Sequence, residues 1–380
     1  MRVSPIIVGA AVLLAASGDV ASGGAVGGAA AHRRVIDAAA GRCGAGWTAA
    51  RAGRQTLLVG NTGAAVAEVT LVDAATGAVH AEVEGLAPGT VRTLRVRLGA
   101  GAYRFRCAVE DAVDPVVGPV VRVAGPGRGG PAVVPVGEGD LYGPARSYRA
   151  YVTSGLETLV SRTERLRDAI HRRDRDAAKA AWLPAHLAYA RLGAAYGAFG
   201  DLADAVDGLP RGLPGGVRDP GFTGFHRLER GLWHGEQMPA LAPVADRLAR
   251  DVQALRTGFR DERVDPADLP LRAHEILEDT LRFELTGAAD QGSGTELRTA
   301  AAHLEGTREV VGVLRPVLRT RFPALAAVDA WMDRLTAQLS GRSSLAELSR
   351  EARGRLNGTV GRLVELLASV ATIARPRRTR

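Results

Sequence analysis

The chain changes hydrophobic rhythm once, near residue 124. Before that point apolar positions alternate with polar ones in short runs. These are 55–61, 67–73, 80–84, 91–98, 101–107 and 116–123, rich in Val, Leu and Thr. Asn-Thr-Gly, Ala-Thr-Gly, Ala-Pro-Gly and Gly-Ala-Gly separate them, as turns separate strands. The spacing predicts a small β-sandwich over residues 32–124. Residues 125–140 are rich in Gly and Pro, without periodicity, and read as an interdomain linker. From residue 141 the apolar positions repeat every three to four residues. Tyr148, Tyr151, Val152, Leu156, Leu159, Leu166 and Ile170 form the first stripe. Further helices are predicted at 174–196, around His226, and at 238–259, 266–285, 295–320, 323–339 and 344–373. Residues 201–219 read as a Gly/Pro-rich connection and 286–294 as a loop with three glycines. The predicted fold class is multi-domain: a β-sandwich followed by an all-α helical bundle over 141–374, with a basic tail at 375–380.

Composition narrows the function classes. Hydrophobic residues make up 46% and charged residues 24%, a globular balance, and aromatics only 4%, so the cores are built of Ala, Leu and Val. The formal charge is +8, carried by arginine except at Lys179. The arginines interleave with Asp and Glu along helices rather than gathering on one face, which excludes a nucleic-acid-binding design. Weak association with an anionic membrane surface or wall remains compatible with the charge.

Residues 1–31 carry the marks of an export signal and a flexible segment. Arg2 precedes an apolar run at 5–16, and small residues follow. The run is short for a span of about 20 apolar residues. No cysteine follows it to take a lipid. Cleaved or retained as an anchor, it predicts an extracytoplasmic chain, where a disulfide persists. Cys43 and Cys107 are the only cysteines. A disulfide is the first reading and metal ligation by the two thiols the second. A blue-copper site is excluded, because the β-region holds only His32 and His80 and no methionine. A harder cation could use Glu68, Glu82 or Glu84.

Three places could carry chemistry. His226 and Glu229, at i and i+3 in Gly224-Phe225-His226-Arg227-Leu228-Glu229, leave one helical face a turn apart, so a ring nitrogen and a carboxylate can converge on one metal ion. A solvated pair or a helix salt bridge is the plainer alternative. His274, Glu275 and Glu278 form a second cluster that lacks the second histidine of a zinc-protease motif. Its plainer alternative is a charged face with an Arg272–Glu salt bridge. His186, with Tyr189 and Tyr196, could reach a bundle interior. No Gly-x-Ser-x-Gly elbow, phosphate loop or Ser-His-Asp set can be picked out, so no enzyme activity is expected.

Gly224–Glu229 followed by Gly231-Leu232-Trp233 resembles the Gly-x-His-x-x-Glu signature of imelysin-like proteins of the EfeO/EfeM type. Ala198-Phe199-Gly200-Asp201-Leu202 resembles the segment upstream of it. The runs 274–278, Leu285-Thr286-Gly287 and Gly292-Ser293-Gly294-Thr295 resemble the later helix and loop. The likeness covers about 145–373. The β-region, with its Tyr103-Arg104-Phe105-Arg106-Cys107 strand, resembles the cupredoxin-like domain fused in front of some members. The resemblance implies an exported iron-binding component of an uptake system that works with a membrane iron permease and a DyP-type peroxidase. It implies metal ligation by His226 and Glu229. Many members carry glutamates where this chain has Ala190 and Gly193, so His186, Glu275 or Glu278, or water, would have to complete the site. Iron, as Fe3+ or Fe2+, is the expected ion, with zinc or copper also suited to the donors. The alternatives are a metal-free binder of an anionic wall or polysaccharide ligand, and a peptidase-like imelysin protein.

Overall fold

The computed structural model describes residues 34–109, 114–261 and 265–376. The export segment and His32 lie outside the described residues. The β-region holds β1 (Val35–Asp37), β2 (Ala50–Arg51), β3 (Gly53–Gly60), β4 (Ala67–Asp73), β5 (Val79–Leu86), β6 (Val91–Leu98), β7 (Gly101–Val109), β8 (Val116–Val117) and β9 (Val121–Ala124). Two sheets form. One has the order β1-β3-β6; the other runs β2-β9-β7-β4-β5, with β8 also on β7. The strand expected at 116–123 is interrupted at Gly118-Pro119, where proline has no N–H for the ladder.

Alternation along the strands builds the shared core. In β6, Leu94, Val96 and Leu98 point inward while Arg95 and Arg97 face out; in β7, Tyr103, Phe105 and Cys107 are buried. Residues of both sheets meet in one apolar cluster with Ile36, Val59, Val69 and Leu71. Trp47 packs edge-on to Phe105 at 5.0 Å. Cys43, in the loop after β1, is joined by a disulfide to Cys107 of β7, with their Cα atoms 5.8 Å apart. Both thiols are therefore consumed. Glu68, Glu82 and Glu84 do not form a metal-holding group of three among the described residues.

The helical region comprises α1 (Glu138–His171), α2 (Arg175–Ala190), α3 (Tyr196–Phe199), α4 (Asp201–Asp207), α5 (Gly224–Trp233), α6 (Met238–Gly258), α7 (Asp268–Asp279), α8 (Glu296–Leu318), α9 (Leu325–Leu339) and α10 (Arg350–Ile373). Asp174 caps α2 by accepting from the Ala177 N–H, and Ser349 caps α10 through Ala352 N–H. α2 runs through Pro184 without a break. A π-helical turn, Thr280–Glu284, extends α7. α1 packs on α2, α6 and α8; α10 packs on α7 and α9; α8 also touches α2, α7 and α9, joining the two groups. None of the described helices is long and apolar enough to cross a membrane.

Two segments differ from the pattern-based expectation. The first part of the 201–219 connection is helix α4, begun after Gly200. The linker is not loose chain: Val133 pairs with Val79 of β5, Gly130 N–H bonds the Arg97 carbonyl, and Val136 is fully buried in the helical core.

Candidate metal centre

The centre lies where α2, α4, α5 and α8 face one another across a cleft of about 670 Å³. α5 supplies its middle. Phe225, Leu228 and Leu232 are fully buried and fix the rotation of α5, so His226 and Glu229 face inward with them. The N-terminus of α5 presses on the C-terminal turn of α4. Gly224 has φ +77°, and a Cβ there would lie 2.1 Å from the Val206 carbonyl oxygen. Only glycine permits that approach. Thr223 Oγ1 donates to the Ala205 carbonyl at 2.9 Å and fastens the same crossing. The next residue along α4 is Asp207, which is thereby delivered to His226.

His226 is held from behind. Its Nδ1 lies 3.1 Å from Glu229 Oε2. The other carboxylate oxygen, Oε1, accepts from the backbone N–H groups of Gln291 and Ser293, both at 3.0 Å. The three-glycine loop is thus a clamp on Glu229. Asp290 shapes it by accepting from the N–H of Gly294 at 2.8 Å. Burial opposes a charge on Glu229, but the His226 hydrogen bond and ring and the loop donors prevail, and its pKa is pushed down to about 2. Glu229 is therefore an ionised acceptor that fixes the His226 proton on Nδ1 and leaves Nε2 facing the cleft.

His226 Nε2 lies 3.6 Å from Asp207 Oδ1, and His186 Nε2 lies 3.1 Å from the same oxygen. His186 sits on α2, stacked on Trp182 at 4.8 Å and edge-on to His226 at 5.2 Å. Trp182 is itself anchored by donating Nε1–H to the Phe225 carbonyl at 2.9 Å. Donor atoms of His186, Asp207 and His226 all lie within 4.8 Å of one another. Burial works against charging either imidazole, yet the Asp207 carboxylate carries both pKa values upward. Burial also opposes the Asp207 charge, and the two rings override it and lower its pKa.

One atom tests whether this trio suits a cation. Asp207 Oδ1 is buried, and what stands beside it are two ring nitrogens, His186 Nε2 in an ion pair at 3.1 Å and His226 Nε2 at 3.6 Å. A buried acceptor is costly unless a protonated ring or a cation satisfies it. Two imidazole nitrogens and a carboxylate oxygen aimed at one point are a donor set for a transition-metal ion.

The remaining candidates stand outside the trio. Glu275 lines the cleft but is paired with Arg272. Glu278 is half-exposed, 4.0 Å from His274, and does not line the cleft. The His274, Glu275, Glu278 cluster is a charged helix face in which Glu275 pairs with Arg272 and Glu278 lies beside His274. Ala190 is buried against Leu187 and Ala302, whereas Gly193 lines the cleft. Tyr189 and Tyr196, stacked at 4.7 Å, form part of its wall, and burial raises both phenol pKa values.

Sequence reasoning missed three cleft residues: Asp207, Glu284 and His303. Asp207 was hidden in what read as a connection; the signal was Asp201, Asp204 and Asp207 at helical spacing after Gly200. Glu284 is buried at the end of the π turn, and burial drives its pKa up to about 8. His303 is deep in the molecule, and burial pushes its pKa down to about 4.

Comparison with known proteins agrees with this architecture. The model of the imelysin family, a peptidase-type family by its description, matches residues 144–370. The iron uptake system component EfeO of Escherichia coli O157:H7 is 29% identical over 300 residues, covering 76% of this chain and 78% of that protein. The iron uptake system component EfeM of Pseudomonas syringae pv. syringae strain B728a is 28% identical over 239 residues, covering 61% of this chain and 84% of that protein. With the family match spanning more than half its length, this chain belongs to the imelysin family.

Proposed function

We propose that this protein is an extracytoplasmic component of an iron uptake system that holds an iron ion in the α2–α4–α5–α8 cleft and passes it to a membrane permease. The iron is cargo. His186 Nε2, His226 Nε2 and Asp207 Oδ1 are the protein donors, and Glu229 orients His226 from behind. The observation that carries this reading is the buried Asp207 Oδ1 with an imidazole nitrogen of His186 and one of His226 within 3.6 Å of it. The names of the EfeO and EfeM relatives supply the element and the process. A peroxidase partner, a cupredoxin-like character for the β-region and the export route rest on family resemblance.

A carrier accounts for the geometry better than a peptidase does. A metallopeptidase needs a carboxylate free to act as base beside the metal. Glu229, the carboxylate of the signature, is already engaged by His226 and two backbone N–H groups. An open cleft around a small donor set also suits capture and release, because an ion with few protein ligands keeps exchangeable positions.

The test is metal stoichiometry on full-length, chelator-treated protein reloaded with Fe(II) under anaerobic conditions or with Fe(III)-citrate. Wild type should retain a single ion per chain after desalting. Asp207→Ala and His226→Ala should not. Equal retention by wild type and both variants would sink the assignment.

A further inference from the structure

His303 stands across the cleft from the trio, on α8, and nothing assigned so far uses it. Its hydrogen bonding fixes which ring nitrogen is free. Thr280 Oγ1 lies 2.8 Å from the Ile276 carbonyl and 3.0 Å from His303 Nδ1. A threonine hydroxyl has a single hydrogen, and a carbonyl can only accept. That hydrogen therefore goes to Ile276, and the His303 contact requires Nδ1–H to donate to Thr280. The Nε2 of His303 then carries a lone pair, the form in which imidazole binds metals.

Three features put that nitrogen to use. His303 lines the same cleft as Asp207 and His226. It is deep within the domain yet still partly open to the cleft. Thr280, its orienting partner, begins the π turn, an irregularity that commonly marks functional sites. Close approach of α8 to α2 is built in as well. Gly306, one turn beyond His303, faces the Arg191 carbonyl so closely that a Cβ would lie 2.5 Å from its oxygen. The Thr280–His303 pair repeats the Glu229–His226 arrangement: a side-chain acceptor takes the Nδ1 proton and leaves Nε2 for the cleft.

We propose that His303 is a further nitrogen donor to the ion held by His186, Asp207 and His226, which makes the loaded site selective for a divalent, borderline cation such as Fe(II) over Fe(III). The inference rests on the reading of the cleft as a metal centre. Its chemical basis is the donor count. Three neutral imidazoles and a single carboxylate favour borderline divalent ions, whereas a hard trivalent ion favours oxygen. The second carboxylate of the signature, Glu229, is spent on His226. His303 lies outside the 4.8 Å span of the trio, so the inference requires its ring to approach the loaded ion.

Cu(II) reports nitrogen ligation directly, through hyperfine coupling in electron paramagnetic resonance. Loaded into the full chain, Cu(II) should show three imidazoles in wild type and two in His303→Ala. Zn(II) affinity should fall about tenfold or more in that variant. His303→Gln serves the same purpose if the alanine variant does not fold. Thr280→Val, which removes the acceptor but keeps the imidazole, should weaken Zn(II) binding in the same direction. Wild type should bind Fe(II) more tightly than Fe(III)-citrate. An unchanged imidazole count and Zn(II) affinity in the His303 variants, with both lost in His226→Ala, would overturn this inference and leave the metal centre standing. Tighter binding of Fe(III) would overturn the selectivity. Unchanged copper and zinc binding in His226→Ala would remove the metal centre itself, and this inference with it.

Discussion

Glu229 grips His226 by Nδ1 at 3.1 Å, so the nitrogen that His226 offers to Asp207 is Nε2. In the proposed site the pair is not two ligands side by side. One residue is a donor to the cleft and the other sets its tautomer. Glu229→Gln tests this with little change of shape. The amide oxygen can keep the Gln291 and Ser293 N–H groups, which turns its NH2 toward His226 Nδ1. The imidazole must then accept at Nδ1 and protonate Nε2. Metal affinity should fall about 10- to 100-fold while the circular dichroism spectrum stays unchanged. Affinity within twofold of wild type, by titration calorimetry with Zn(II), would contradict the tautomer assignment.

Gly224→Ala should be severe. The added carbon meets the Val206 carbonyl at 2.1 Å on a backbone of φ +77°. Either strain is retained or α4 withdraws and carries Asp207 away from His226. We expect a stability loss of about 2 kcal/mol or more by urea unfolding, together with loss of metal retention. A variant with wild-type stability and stoichiometry would show that the crossing does not position the site.

Glu284 gives a pH signature. Its pKa rises from the ordinary 4.5 to about 8 in the fold, mainly through burial. Between those values the native state keeps a proton that the unfolded chain gives up. Its contribution to stability is thus fully present below 4.5 and is lost as pH rises through 8. In chelator, Glu284→Gln should match wild type near pH 5 and exceed it at pH 8, by at least about 1 kcal/mol. An identical difference at both pH values in thermal unfolding would show that Glu284 is ionised in the fold.

The disulfide closes a loop with a sequence separation of 64. Loop entropy alone assigns it about 4 kcal/mol. Reduction, or Cys43→Ala with Cys107→Ala, should lower the unfolding midpoint of the β-region and leave metal retention by the helical region intact. Loss of metal on reduction would place the cysteines in the function rather than in the scaffold.

The two rhythms made both regions legible. Strands at Ala67–Asp73 and Val91–Leu98 agree with the expected runs, because alternate Val and Leu there face a single core. The helix around His226 was equally readable. The site was readable only in part. His226 sits in a local motif, and local spacing is what a sequence displays. Asp207 and His303 come to the cleft from α4 and α8, through helix crossings at Gly224 and Gly306 that no single motif displays. Glu275 and Glu278 looked suitable because carboxylates are dense there, but density on one helix face is satisfied by Arg272 and His274 before a distant site can use it.

The seam between the two regions decides where the helical part begins. The family match starts at residue 144, and α1 starts at Glu138. Yet Arg321 donates to the carbonyls of Val134 and Pro135, and Val136 bridges to Pro376 while fully buried among the helices. A fragment cut at the family boundary would lose most of the first turns of α1 and uncover the floor on which the last described residues rest. A fragment beginning at Val134 would keep that floor and lose the stitches to Arg97 and Val79. The packing of the helical region therefore reaches further toward the N-terminus than the stretch that sequence comparison recognises, into residues that looked like spare chain.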